Sequence, residues 1–165
     1  PDGAGRSDGV YPQLAGQHAT VLIKQMVDIR EGRRDNPIMY PFAGDHLIEV
    51  VDVANIAAYL SALPVPGDNG QGPGEALELG RSLYARDCRT CHGKHGEGDG
   101  ARFYPLLAGQ HYAYLLRQIR EIQDGTRRNA NPEMVGVLRD YGDDEMRAVV
   151  DHLSRLRPQL DTPGD

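Results

Sequence analysis

Two stretches of this chain, 93 residues apart, are nearly the same. Tyr11-Pro12-Gln13-Leu14-Ala15-Gly16-Gln17-His18 and Tyr104-Pro105-Leu106-Leu107-Ala108-Gly109-Gln110-His111 agree at seven of eight positions. The register continues through Leu22 with Leu115, Gln25 with Gln118, Ile29 with Ile122 and Gly32 with Gly125. It slips by two to align Asn36-Pro37-Ile38-Met39 with Asn131-Pro132-Glu133-Met134, then returns at Leu60 with Leu153. Self-similarity on that scale means one structural unit built twice, which for 165 residues leaves two small domains.

The unit is helical. After each Ala-Gly-Gln-His turn, apolar residues recur at helical spacing: Leu22, Met26 and Ile29 in the first copy, Leu115, Ile119 and Ile122 in the second. Gly32 and Gly125 stand where C-caps belong. Each copy ends in another helix, about 47–63 and about 143–156, the second with acidic residues in its first turn and Met146, Val149, Val150, Leu153 and Leu156 on one face. The second copy has a further helix over 75–89 with Leu79 and Leu83 as its stripe, and no alternating strand pattern competes anywhere. The predicted fold class is all-α. Residues 64–74 are too rich in Pro and Gly for helix, so the domains run 1–66 and 75–160 with 67–74 as linker.

Cys88-Arg89-Thr90-Cys91-His92 carries the chemistry. Two thiols three apart with a histidine after the second read as a c-type haem attachment site, in which both sulfurs bond the porphyrin edge and the histidine ligates the iron. A thioredoxin-like pair wants a βαβ setting, and a zinc site wants ligands that a chain with two cysteines lacks. A buried haem also enlarges the core of a domain of eighty-odd residues. Net charge is −6, spread over both halves as 5 basic against 8 acidic side chains in 1–66 and 13 against 16 in 67–165. That argues against a nucleic-acid partner. No apolar run approaches membrane-spanning length, so any membrane association would run through a partner. Covalent haem implies export, and the chain reads as a mature periplasmic protein with its signal peptide removed.

Taken together, Cys88-Arg89-Thr90-Cys91-His92-Gly93, the Gly96-Glu97-Gly98-Asp99-Gly100 loop, Tyr104 to Gln110, Asn131-Pro132-Glu133-Met134 and the terminal helix resemble the two-domain cytochrome c4 family, within the class I c-type cytochromes. The resemblance implies two tandem cytochrome c-like domains, the second haem-bearing, and a role as a periplasmic electron carrier. It implies Met134 as the distal axial ligand opposite His92, and Pro105 as the carbonyl that accepts the free N–H of His92. Met39 would serve only if a second haem is present, while Met26 and Met146 read as core filler. Met/His ligation leaves no open iron site, which disfavours a haem enzyme or gas sensor. The remaining alternative is an electron-accepting subunit of a periplasmic oxidoreductase complex, and in either case redox proteins are the partners. His18 and His111 read as serving their turns. Arg127 and Arg128 read as a solvated pair of surface charges rather than as partners of haem propionates. His152, where the family favours an aromatic, puts the packing near Gly80 in question.

The first copy lacks the attachment motif, since at the same offset Pro1 falls opposite Lys94. The chain is then either a relative whose first domain has lost its haem or a fragment of a two-haem protein, and the retention of Met39 favours the fragment. The apolar residues Val50, Val51, Val53, Ala54, Ile56, Ala57, Leu60 and Leu63 should accordingly be covered by a preceding segment, by the second domain or by another subunit.

Overall fold

A computed structural model describes residues 2–44 and 46–158, so residues 159 and 160 of the expected haem domain lie outside it. The first unit holds α1 (Ala19–Arg30), α2 (Tyr40–Ala43) and α3 (Val50–Ala62). The second holds α4 (Leu77–Leu83), a π turn over Tyr84–Cys88, α5 (Arg89–His92), a 3-10 turn over Gly100–Arg102, α6 (Tyr112–Gln123), α7 (Pro132–Leu138) and α8 (Asp143–Arg155). Among the described residues the only β pairing is an isolated bridge between Asp99 and Tyr104.

The core of the second unit forms where α4 and α6 pack on α8. Leu115, Ile119 and Ile122 of α6 meet Met146, Val149, Val150 and Leu153 of α8 in one cluster that also takes Leu83, Tyr84 and Cys88. The helix expected over 75–89 runs without interruption from 77 to 92, widened over Tyr84–Cys88 into the π turn. Its stripe is wrong in part: Leu83 is buried, but Leu79 is 44% exposed, and Gly80 takes its place at the contact. Gly80 lies against the Ala148 backbone and the His152 Cβ, so the helices touch where a side chain would hold them apart. The His152 ring packs on Tyr84 with centroids 5.6 Å apart, doing the job of an aromatic. Glu145 accepts from the Gly142 N–H at 2.9 Å and closes the first turn of α8. The two expected C-cap glycines, Gly32 and Gly125, have φ of 70° and 78°, the left-handed conformation that ends a helix.

The first unit is built differently. α3 packs on α1 through Val53 and Ala57, while Val50, Val51, Ile56 and Tyr59 are exposed. Ile56 is 46% exposed and its repeat counterpart Val149 only 2%, because α4 covers that face of α8 and no described residue covers the matching face of α3. Of the three expected covers for this face, a preceding segment, the second domain or another subunit, the second domain does not serve among the described residues, where Val50, Val51, Ile56 and Tyr59 stay exposed. The second unit instead meets the first along the repeated turns and α1.

That seam is two-fold in character. Gln17 Oε1 accepts from Leu106 N–H and Gln17 Nε2 donates to Leu106 C=O, both at 2.9 Å. Gln110 does the same to Gln13, again at 2.9 Å. His18 Nε2 lies 2.8 Å from the Glu97 carbonyl, and His111 Nε2 lies 2.7 Å from that of Ala4, the repeat counterpart of Glu97. The two histidines thus bridge the units rather than serving only their own turns. The linker is part of the same construction, with buried Asn69 donating to the carbonyls of Gln110 and Ser154 at 2.9 and 2.8 Å.

Candidate haem site

The π turn carries the chain from α4 into α5 and tucks Cys88 beneath α8, as π bulges often do beside functional residues. Tyr141 Oη donates to Asp87 at 2.5 Å, and Tyr84 Oη donates to the Gly93 carbonyl at 2.7 Å, pinning both ends of the motif. Cys88 is buried and Cys91 half-buried, both with free thiols. Burial, then Asp87 and Cys91, push the Cys88 thiol up to about 12. A neutral thiol in the folded chain is the opposite of an activated redox cysteine. Nor is there, among the described residues, a group of three His, Cys, Asp or Glu able to hold a metal ion.

His92 is buried, with Nδ1 3.4 Å from the Pro105 carbonyl and its ring tilted beside Tyr104. Burial lowers its pKa against the opposing pull of that carbonyl, which keeps the imidazole in its neutral, ligating form. The close approach of the 104–105 loop depends on Gly98, whose φ is 69°. A Cβ there would lie 2.5 Å from both the Tyr104 and Pro105 carbonyl oxygens. Gly98 N–H also donates to the His92 carbonyl at 2.9 Å, so one glycine ties the histidine to its acceptor loop.

Met134 stands on α7. Asn131 caps that helix by accepting from Glu133 N–H at 2.8 Å, and Pro132 occupies its first position. Met134 is half-buried, packed with Leu107, Ala130 and Val135 against the cluster that contains Cys88. Met39 is the N-cap of α2 in the first unit, half-buried. Met146 is core, as expected, whereas Met26 is only half-buried. Arg128 is exposed and paired with Asp35 at 2.5 Å, but Arg127 is drawn into the seam, which overturns its reading as a solvated surface charge.

These residues fit a c-type haem. The His92 Nδ1 is taken by Pro105, which leaves Nε2 for a metal, two unpaired thiols precede it on the same short stretch, and a half-exposed apolar wall stands beside the core. The seam residues Gln17, Gln110, His18 and His111 were visible in the sequence only as a repeated Gly-Gln-His, a signal of role but not of partner.

The sequence model of the cytochrome c family matches residues 77–157. Over 165 aligned residues, a thiosulfate dehydrogenase electron acceptor from Stutzerimonas stutzeri is 38% identical, the match covering 94% of this chain and 75% of that protein. Cytochrome c4 from Azotobacter vinelandii is 31% identical, covering 82% and 70%. The crystal structure of reduced cytochrome c4 from Pseudomonas stutzeri superposes with a TM-score of 0.83 at 27% identity, over 94% of this chain and 90% of that one. The chain belongs to the cytochrome c4 family, helical electron carriers that hold haem c.

Proposed function

We propose that the chain is a periplasmic electron-transfer protein in which Cys88 and Cys91 carry haem c through thioether bonds, His92 Nε2 and Met134 Sδ are the axial ligands, and the Pro105 carbonyl orients His92. The observation that carries this reading is the buried His92, placed directly after two free thiols with its Nδ1 on a backbone carbonyl. Haem c supplies a one-electron centre, and no substrate is transformed. The chain's own residues bind, orient and exclude water. Pro105 fixes the Nδ1–H tautomer and raises the basicity of the other nitrogen. Leu107, Ala130 and Val135 provide the apolar wall on the Met134 side. Met39 would take the equivalent role in the first unit only with a second haem there. The units are residues 1–66 and 75–160, joined by 67–74.

Replacing Met134 tests the assignment. Met134→Ala should keep the haem covalently attached, by intact mass, while lowering the reduction potential and admitting exogenous ligands to the iron, because a thioether favours the ferrous state and fills the sixth position. A variant with the parent's spectrum and potential would remove Met134 from the iron.

A second reading is favoured by the open face of Val50, Val51, Ile56 and Tyr59, together with the name of the Stutzerimonas relative. In it the chain is the electron-accepting subunit of an oxidoreductase complex, and it co-elutes with a catalytic partner on gel filtration of native extract. A carrier would elute alone.

A further inference from the structure

Each unit holds the stretch before its terminal helix in the same way. In the first, Arg30 donates from Nε to the Ala43 carbonyl at 2.6 Å and from Nη2 to the Ile48 carbonyl at 2.8 Å. In the second, Gln123, the repeat counterpart of Arg30, donates from Nε2 to the carbonyls of Leu138 and Tyr141 at 2.7 and 2.8 Å. Ile48 and Tyr141 occupy one position of the repeat, directly before the N-caps Glu49 and Gly142. The first copy makes this turn with an aliphatic side chain, so the turn itself does not call for a phenol.

The Tyr141 ring is buried in the core with Leu83, Cys88 and Leu138, and its hydroxyl reaches the residue that precedes Cys88. Oη donates to Asp87 Oδ2 at 2.5 Å, and Arg86 donates to both oxygens of the same carboxylate at 2.7 to 3.0 Å. Arg86 meets the carboxylate from the solvent side, its own side chain 64% exposed, whereas Tyr141 meets it from the core. Burial, then the bond to Asp87, push the Tyr141 pKa up, so the phenol keeps its proton and serves as a donor. Arg86, opposed by burial and helped by Tyr141, holds the Asp87 carboxyl below its ordinary value, so the group is charged. Its field falls on the Cys88 sulfur, whose thiol it helps to push up.

The same bond closes a loop through the site. Leu138 lies one turn beyond Met134 on α7, and Tyr141 N–H donates back to its carbonyl at 3.1 Å. The end of the helix that carries Met134 is thereby tied to the stretch that carries Cys88.

We propose that Tyr141 is a positioning residue for the haem, whose hydroxyl holds the Asp87 carboxylate at the Cys88 edge of the ring and so sets the reduction potential. This rests on the haem placement proposed above. An ionised carboxylate beside the ring favours ferric iron, which carries one more positive charge than ferrous, and a donor on that carboxylate moderates the effect. Tyr141 acts on the iron through Asp87.

The test uses the haem-loaded full chain with Tyr141→Phe, Asp87→Asn and both together. Tyr112→Phe, which loses a phenol from the same core beside the linker, is the control. Reduction potential is followed against pH. The groups that face Asp87, namely Arg86, Tyr141 and the Cys88 sulfur, are otherwise the same throughout. Asp87→Asn should raise the potential and Tyr141→Phe should lower it, opposite signs that a general loosening of the core would not produce. Tyr141→Phe should also displace the acid step in the potential to higher pH, because a carboxylate that loses a donor holds its proton more tightly. In the Asp87→Asn background, Tyr141→Phe should move the potential no further than Tyr112→Phe does. The proposal is overturned if Tyr141→Phe keeps the parent's potential and pH profile, if Asp87→Asn leaves the potential unchanged, or if the Tyr141→Phe displacement persists in the Asp87→Asn background. If the double variant does not load haem, the opposite signs of the single variants decide. Failure of the haem placement is a separate result, seen in the parent as a mass without haem on Cys88 and Cys91.

Discussion

Replacing Gly80 by alanine sets two opposing effects against each other, and the structure decides which wins. In an exposed helix interior, Gly→Ala gains about 1 kcal/mol of helix propensity. At Gly80 the new Cβ would land on the Ala148 carbonyl oxygen, 2.7 Å from its carbon and 3.0 Å from the His152 Cβ. Two of these three neighbours are backbone, so no side chain can swing aside. Carbon atoms rest roughly 3.5 to 4.0 Å apart, so α4 must withdraw from α8 by about 1 Å. The withdrawal loosens the contacts of Leu83 and Tyr84 with Val149 and Leu153, a core that is otherwise closed. Overpacking of this kind costs about 1 to 3 kcal/mol, and a backbone clash puts Gly80→Ala at the upper end, for a net loss of about 2 kcal/mol after the propensity gain. At this chain length that lowers Tm by roughly 4 to 8 °C. Gly136, in α7, is the internal control: nothing lies within 4 Å of its Cβ position, so Gly136→Ala should leave Tm unchanged or raise it slightly. Thermal unfolding of the haem-loaded chain, followed by far-UV circular dichroism, compares the two. A Gly80→Ala protein as stable as the Gly136→Ala protein would refute the close-contact argument.

Two further outcomes concern the seam. Gln17→Ala strands the buried N–H and C=O of Leu106 and should cost about 1 to 3 kcal/mol in urea unfolding, whereas Gln71→Ala, at an exposed linker position, should cost far less; equal losses would deny the seam its role. Burial alone would raise the Asp28 pKa, but hydrogen bonds from Lys24, Asn129 and Arg33 outweigh it and hold the carboxyl below its ordinary value. A depressed folded pKa contributes stability that is present above the unfolded value, near 4, and is lost as pH falls through the folded one. Asp28→Asn should therefore flatten that acid limb of the stability–pH curve, and an unchanged limb would contradict the assignment.

What could be read from the sequence follows from which forces act locally. The inward face of α6 was legible because three apolar residues at helical spacing have one way to be buried together. The end of α1 and of α6 was legible from Gly32 and Gly125, and the haem motif from five contiguous residues. The rest depended on partners distant in the chain. Leu79 fits the stripe of α4 as well as Leu83 does, but the contact is made at Gly80, where the absence of a side chain matters. The helical setting of Met134 is not legible locally, because Asn131-Pro132 suits a turn as well as it suits a cap followed by a first-position proline. Arg127 could not be told from Arg128 because adjacent residues differ here in which side of the connection faces α1.

The Val65 side chain ties the two copies of the repeat to a single fate. One of its methyls sits where a Cβ on Gly16 would go, and the other lies 2.7 Å from a Cβ on Gly109. Gly16 and Gly109 are repeat counterparts, each with φ of 73°, so both also resist a side chain on conformational grounds. A substitution at either glycine pushes the same isopropyl group toward the other, and a change at Val65 opens space beside both at once. Positions 93 residues apart thus form one mutational unit with a third, and their effects on stability combine non-additively. After duplication, the two halves could diverge freely along their outer helices but not at these turns, where drift in one copy is constrained by the other.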